Sequence, residues 1–288
     1  MNRRQLNILF SCLFFTLSIT SDLESQTFQD RRVINAQSVE MLANRKFDLR
    51  IAHRFGDMFG ESGGWETFYG LENASDILIG GEYGISNNLN IGINRTKGSG
   101  PLNKFLNGYA KLRMMNQFGP RKPAVSVILL GVVSYSTMQN SANPEALSNF
   151  KQSSHRWVST GQLIIGRKIT DGLSLQVLGS FTHRNQVLEG DENDLLSIGV
   201  AGRIKLSRAY GFIFDVNAPL SSYRKSENDF YPSIGVGLEV DTGGGHVFQI
   251  NLTNARGLSE NDYIPYSRSN WNDGEFRLGF TISRLFNL

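Results

Sequence analysis

The chain has 288 residues, of which 29 are basic and 26 acidic, giving a formal charge of +3. So small a charge argues against a nucleic-acid protein, which would show a basic stripe, and the single cysteine, Cys12, excludes disulfides and cysteine-ligated metals from the mature chain. No segment beyond the first residues is an apolar run long enough for a transmembrane helix, so a membrane protein with this sequence must cross as a barrel of strands.

Residues 1–25 read as a cleaved secretory signal: a short basic start, Arg3-Arg4, an apolar stretch from Leu6 to Ile19, then small residues at Thr20, Ser21 and Ser25. Cys12 lies inside that segment, where the apolar run continues past it. A lipid-attachment site is therefore disfavoured. Residues 26–46 follow as a periplasmic N-terminal segment, weakly helical over 36–42. A mobile leader is the favoured reading, and a strap or small plug inside a barrel is the alternative.

From residue 47 to 288 the pattern has a period of two, which means β-strands. Phe47, Leu49, Ile51 and Phe55 alternate with Asp48, Arg50, Ala52 and Arg54 in the first strand. A Gly-rich segment, 56–73, leads to the second strand, where Ile77, Ile79 and Tyr83 oppose Asp76, Gly80 and Glu82. The third carries Leu89, Ile91 and Ile93. The fourth sets Leu106, Ala110, Leu112 and Met114 against Asn107, Tyr109, Lys111 and Arg113. In the fifth, Val127, Leu129, Val133 and Tyr135 face out, yet Ile128 and Leu130 on the other side are less polar than a water-filled interior would ask. The sixth, 157–169, has no legible phase.

A Thr170-Asp171-Gly172 turn opens the seventh strand, Leu173, Leu175, Val177 and Phe181 against Ser174, Gln176, Ser180 and Thr182. Leu196, Ile198, Val200 and Ile204 mark the eighth, with Arg203 and Lys205 opposite. Phe212, Phe214 and Val216 mark the ninth, with Asp215 opposite. The tenth places Ile234, Val236 and Leu238 against Glu239 and Asp241, and the eleventh Phe248, Ile250 and Leu252 against Gln249 and Asn251. The last strand runs to the terminus: Phe276, Leu278, Phe280, Ile282, Phe286 and Leu288 against Arg277, Gly279, Thr281 and Ser283. Arg284 breaks its apolar phase and is expected to snorkel to the aqueous edge.

Connections after odd-numbered strands are long and polar, and those after even-numbered strands short. An even strand count with that asymmetry is how a transmembrane antiparallel up-and-down β-barrel is built, here of about twelve strands. Both termini then lie on the periplasmic side. Aromatic residues collect at both rims, Phe47, Tyr83 and Tyr210 at one and Phe55, Tyr135, Trp157 and Phe276 at the other, as rings settling at headgroup level do. A soluble all-β sandwich also alternates, but strands this long suit it poorly.

With lipid on the apolar side, the other side lines the lumen. The candidates there are Arg50, Arg54, Asp76, Glu82, Lys111, Arg113, Arg203, Asp215, Glu239 and Arg277, bases and acids in near balance, which suits ion pairs bracing a narrow barrel or a channel with opposed charged walls. His183, near the outer end of its strand, is the one residue placed like a lipid-facing catalytic base, and no nucleophile can be set beside it. The acidic run 189–194 lacks the spacing of a calcium loop. No metal or cofactor site is expected.

Three short patches, His53-Arg54-Phe55-Gly56, Gly70-Leu71-Glu72-Asn73-Ala74-Ser75-Asp76 and Thr182-His183-Arg184-Asn185, resemble a family of bacterial outer-membrane β-barrel proteins of unknown function associated with Bacteroidetes-type envelopes. The resemblance implies the outer membrane and the barrel, and assigns no activity. The expected function is a passive pore or small-solute conduit. A filled barrel with a structural or surface-binding role is the alternative, and a lipid-active enzyme comes third. Expected partners are outer-membrane lipid, the barrel-insertion machinery acting on the C-terminal strand, and a small solute, with no nucleic acid.

Overall fold

In a computed structural model of the chain, the described residues are 26–73, 76–225 and 228–288. The signal segment read at 1–25, with Cys12, lies outside them. Among the described residues, fourteen strands form one hairpin and one closed barrel. The hairpin is β1 (Arg32–Val33) and β2 (Ala36–Gln37). The barrel strands are β3 (Lys46–Arg54), β4 (Asp76–Ser86), β5 (Leu89–Lys97), β6 (Lys104–Met115), β7 (Ser126–Ser136) and β8 (Trp157–Lys168), followed by β9 (Leu173–Arg184), β10 (Asp194–Lys205), β11 (Tyr210–Leu220), β12 (Ser233–Asp241), β13 (His246–Thr253) and β14 (Arg277–Asn287). Every neighbour is antiparallel and next in sequence, and β14 closes on β3 with Ile282 opposite Ile51. The expected up-and-down barrel of twelve strands is what the chain forms.

Alternation sets the two faces. Leu129, Val133, Leu163, Val177, Ile198 and Ile250 stand exposed on the outside, as side chains do when lipid is their solvent. The register also supplies the phase that the sixth predicted strand withheld. Trp157 and Leu163 of β8 point outward, whereas Val158, Thr160, Gln162 and Ile164 are buried inward. Arg284 takes the outward phase and lays its guanidinium over the Phe286 ring at 4.8 Å, at the short-turn end.

Residues 26–42 lie inside the barrel. Phe28, Val33, Ile34, Ala36 and Val39 pack in one buried cluster with Ile128, Leu130 and Val132 of β7, Ile164, Leu178, Ala201 and Ile213. The unexpectedly apolar inner side of the fifth predicted strand is thereby explained, since it faces protein and not water. The weak helix expected over 36–42 does not form. Asp215 of β11 accepts from the Asn35 and Ala36 amides, each at 3.0 Å, and Gln176 accepts from Val39 N at 3.1 Å. With these amides bonded to the wall, a helical ladder has lost its donors.

The hairpin turns through Ile34 and Asn35, and Ile34 has φ +53°, a left-handed conformation that a β-branched residue rarely adopts. Such strain costs on the order of 1–3 kcal/mol and persists only where the surroundings impose it. Gly235 of β12 gives the turn its seat: a Cβ there would lie 2.4 Å from Asp215 Oδ1 and 2.9 Å from Ile34 Cγ2.

A second segment enters from the opposite, long-loop end. The β13–β14 connection folds inward as helix α1 (Glu260–Tyr266), all seven residues of which are buried. Tyr263 and Ile264 pack on Leu195 and Ala255. Asn261 Nδ2 donates to Ser134 Oγ at 2.7 Å and to Val158 O at 3.1 Å.

Replacing Gly235 by Val should therefore unseat the hairpin without opening the barrel. Trypsin, blocked from Arg31 and Arg32 in the native protein, should cut there in Gly235→Val. Gly131→Val, whose added side chain meets open space on the lipid face, should stay protected.

Candidate functional site

The lumen has two unlike halves. Against the apolar sector of β7 to β11 lies the hairpin's hydrophobic side, and its polar side meets a charged sector on β3 to β6 and β11 to β14. There Arg50 grips Asp30 with a two-pronged bond, 2.8 and 2.6 Å, and also reaches Asp48 at 3.1 Å. Arg31 closes the group by pairing with Asp48 at 2.8 Å. Two bases and two acids thus neutralise one another where a lone buried charge would cost several kcal/mol. Beside this cluster remains a cavity of about 10 Å³ bounded by Arg32, Asp48, Arg50, Glu82 and Tyr109, room for roughly one water molecule.

Of the ten side chains selected from sequence, half bind the two inserted segments directly. Arg50 holds Asp30, and Asp215 accepts from Asn35 Nδ2 at 2.9 Å as well as from the two amides. Lys111 donates to Glu40 O at 2.9 Å. Arg54 donates to Asn35 Oδ1, Gly257 O and, at 3.0 Å, Ala255 O, so it touches both insertions. Arg277 donates to Asn254 O at 3.1 Å.

The remaining five serve the wall or its loops. Glu82 accepts from Asn90 Nδ2 and Tyr109 OH, and Arg203 reaches Glu239 at 2.6 Å across β11, where Gly211 leaves room. Arg113 donates to Asn87 O near the short-turn rim, and Asp76 accepts from Ser99 Oγ at 3.5 Å. The insertions also hold each other: Arg32 donates to Leu258 O at 3.2 Å and pairs with Glu260 at 3.1 Å.

Sequence reasoning missed the residues on the insertion side of these bonds. Asp30, Arg31, Arg32 and Asn35 sit in a stretch with no clean periodicity. The helix had one legible signal, Ser259 three residues ahead of Asp262, although the Ser259 side chain makes no capping bond.

The other sites weighed from sequence are occupied by local structure. In the acidic run, Asp191 is clasped by Arg224 at 2.6 and 2.7 Å and by Arg184 at 2.9 and 3.1 Å. Burial would raise its carboxyl, but those two guanidinium groups hold it below the usual range. No group of three or more His, Cys, Asp or Glu placed to hold a metal occurs among the described residues. His183 turns Nδ1 to Asp194 Oδ1 at 2.6 Å and Nε2 to Asn185 Oδ1 at 3.0 Å. With both ring nitrogens facing acceptors, the ring offers no free lone pair for a general base.

Acid and base should act oppositely on the two insertions. Asp262 of α1 is buried, lies near Asp76 and accepts no hydrogen bond among the described residues; burial first and that neighbour second push it up to about 8 against a weaker pull from Arg54. Its folded value stands above its unfolded one, so the helix is seated best below about pH 4 and loosens up to about pH 8. Asp30 is the reverse: burial would raise it, but Arg50 and then Arg31 hold it low, so the hairpin's hold is complete at neutral pH and lost in acid. Amide exchange in α1, corrected for intrinsic rate, should show an opening constant that rises by up to about tenfold per pH unit in that window, and Asp262→Asn should flatten it. The hairpin amides should open as pH falls, and Asp30→Asn should release them at neutral pH.

No curated protein matches the chain in sequence. Among solved structures, the NanC porin in a rhombohedral crystal form is similar at a TM-score of 0.49 and 10% identity, over 84% of this chain and 100% of that one. The KdgM porin in complex with disordered oligogalacturonate gives 0.49 and 8% over 84% and 99%. The COG4313 outer membrane channel from Pseudomonas putida F1 gives 0.46 and 11% over 86% and 97%. A family model, the membrane bound beta barrel domain DUF5777, matches residues 28–286, nearly the whole chain. A closed antiparallel barrel with an apolar exterior, a lumen filled by its own chain and this family match together identify the protein as an outer-membrane β-barrel belonging to the DUF5777 family.

Proposed function

We propose that the protein is a passive conduit for small solutes whose lumen is stopped from both ends by the hairpin and by α1. One observation carries this reading: five of the ten charges on the lumenal side are held by the two insertions. Withdrawing an insertion would hand those charges to water, where ions are well solvated, so the polar side offers little resistance to opening. Neither insertion adds a strand to the barrel ladder, so each can leave without breaking the wall.

The buried apolar cluster on β7 to β11 favours a second reading, a permanently filled barrel with a structural or surface-binding role. Burying each such side chain is worth about 1.5–3 kcal/mol, which resists withdrawal. The envelope would be of the Bacteroidetes type, and the alternating terminal strand β14 would be the one read by the barrel-insertion machinery.

Planar-bilayer recordings separate the two. The native chain should conduct rarely and in brief events, deletion of residues 28–43 should give a steady conductance, and Arg50→Ala or Glu239→Ala in that background should change its ion preference. A deletion variant that inserts and stays electrically silent, even with residues 256–268 also replaced by a short Gly-Ser link, would leave only the filled barrel.

A further inference from the structure

The β3–β4 connection, residues 56–73, stands at the long-loop end and leaves Phe59, Trp65, Phe68, Tyr69 and Leu71 uncovered, Trp65 73% and Phe59 57% exposed. Large rings gathered in water mark a contact surface. The loop is built, not slack. Tyr69 N donates to Gly64 O at 2.7 Å, Gly64 N to Met58 O at 2.9 Å and Gly56 N to Gly70 O at 2.9 Å. Phe68 and Tyr69 both hold left-handed backbone, φ +46° and +55°, which bulky residues adopt only where the surroundings impose it.

These rings continue the lipid face. On the outside of the β3–β14 pair, His53 stacks on Phe280 at 5.5 Å and Phe55 lies 6.2 Å from the same ring. The ladder then runs on past the strand ends, with Met58 N donating to Phe276 O at 2.8 Å. Phe276, one residue before β14, is flanked by Trp271 at 4.8 Å and Phe59 at 5.7 Å. Phe59 touches Tyr69 at 5.3 Å, and Trp65 meets Tyr69 at 6.2 Å and Phe68 at 5.8 Å. Two groups of rings, one on the bilayer side of the barrel and one on the loop, thus stand along the same β3–β14 edge.

The charge of the loop narrows what can cover it. Residues 56–73 hold Asp57, Glu61, Glu66 and Glu72 and no Lys or Arg. Attraction to anionic headgroups, which needs basic residues, is therefore absent. Attachment would have to come from rings settling at the water–hydrocarbon boundary, where Trp and Tyr gather.

We propose that residues 56–73 form a ledge embedded in the outer leaflet beside the β3–β14 strand ends, with Phe59, Trp65 and Phe68 at the acyl-chain boundary and membrane lipid as the partner. The ledge splints the two strand ends whose inward side chains, Arg54 and Arg277, hold the loop that carries α1.

The chain has three tryptophans, so Trp157→Phe with Trp271→Phe leaves Trp65 as sole reporter in the full-length protein. In phosphatidylcholine vesicles with brominated acyl chains, Trp65 fluorescence should be blue-shifted and fall by roughly half, as expected of a ring at the interface, and high salt should not change it. Should the double variant fail to fold, the spectrum lost between native protein and Trp65→Ser in the same vesicles gives the same reading. Emission quenched by aqueous iodide and untouched by brominated lipid would overturn the proposal. A shift seen only on adding soluble cell-surface oligosaccharide would also overturn it, in favour of a sugar platform.

Discussion

A tube of twelve strands is wider than its own inward side chains can fill, whereas eight strands leave an interior just wide enough for side chains to close. Water or protein must occupy the axis, and in this protein it is the chain itself, delivered from both ends. The polarity of the wall follows from that occupancy. Where the hairpin presents Val33, Ala36 and Val39, the wall answers with Ile128, Leu130 and Ile164. Where it presents Asp30, Arg31 and Asn35, the wall answers with Arg50, Asp48 and Asp215.

The two halves differ in what they contribute. Buried ion pairs roughly offset their own desolvation, so they add little net stability while making any mispairing costly. The Asp30, Arg31, Asp48 and Arg50 group therefore sets where the hairpin sits more than how firmly. Firmness comes from the apolar half, whose burial has no comparable penalty. A carboxylate holding two amides of a turn whose first residue is strained, as Asp215 does beneath Ile34, fits the same division: position is imposed on the backbone by its surroundings.

Strand order, strand ends and the facing of charged residues were legible because a period of two is local and the lipid side is uniformly apolar. Arg50, Lys111 and Glu239 could be assigned inward from their neighbours alone. The hairpin was not legible, since Val33-Ile34-Asn35-Ala36 has no turn residue at the position that needs left-handed backbone, and its hydrogen bonds go to Asp215 and Gln176, far away in sequence. Yet its trace was present in β7, where Ile128 and Leu130 are too apolar for a wet interior. That mismatch pointed to an occupant without saying which segment it was. Asn261 and Asp262 stayed hidden for a similar reason, because a seven-residue helix buried on all sides has no amphipathic stripe to betray it.

The pairing of β14 with β3 has a temporal consequence. Arg31 bonds Ser283 across 252 positions and Ser283 bonds Asp48 across 235, so the segment made early waits for one made much later. Contacts so remote in sequence form slowly. The hairpin must be enclosed as the two ends of the sheet meet or thread in afterwards. In the second order, the nascent cylinder passes through a stage in which its bore is hydrated and its greasy inner sector uncovered.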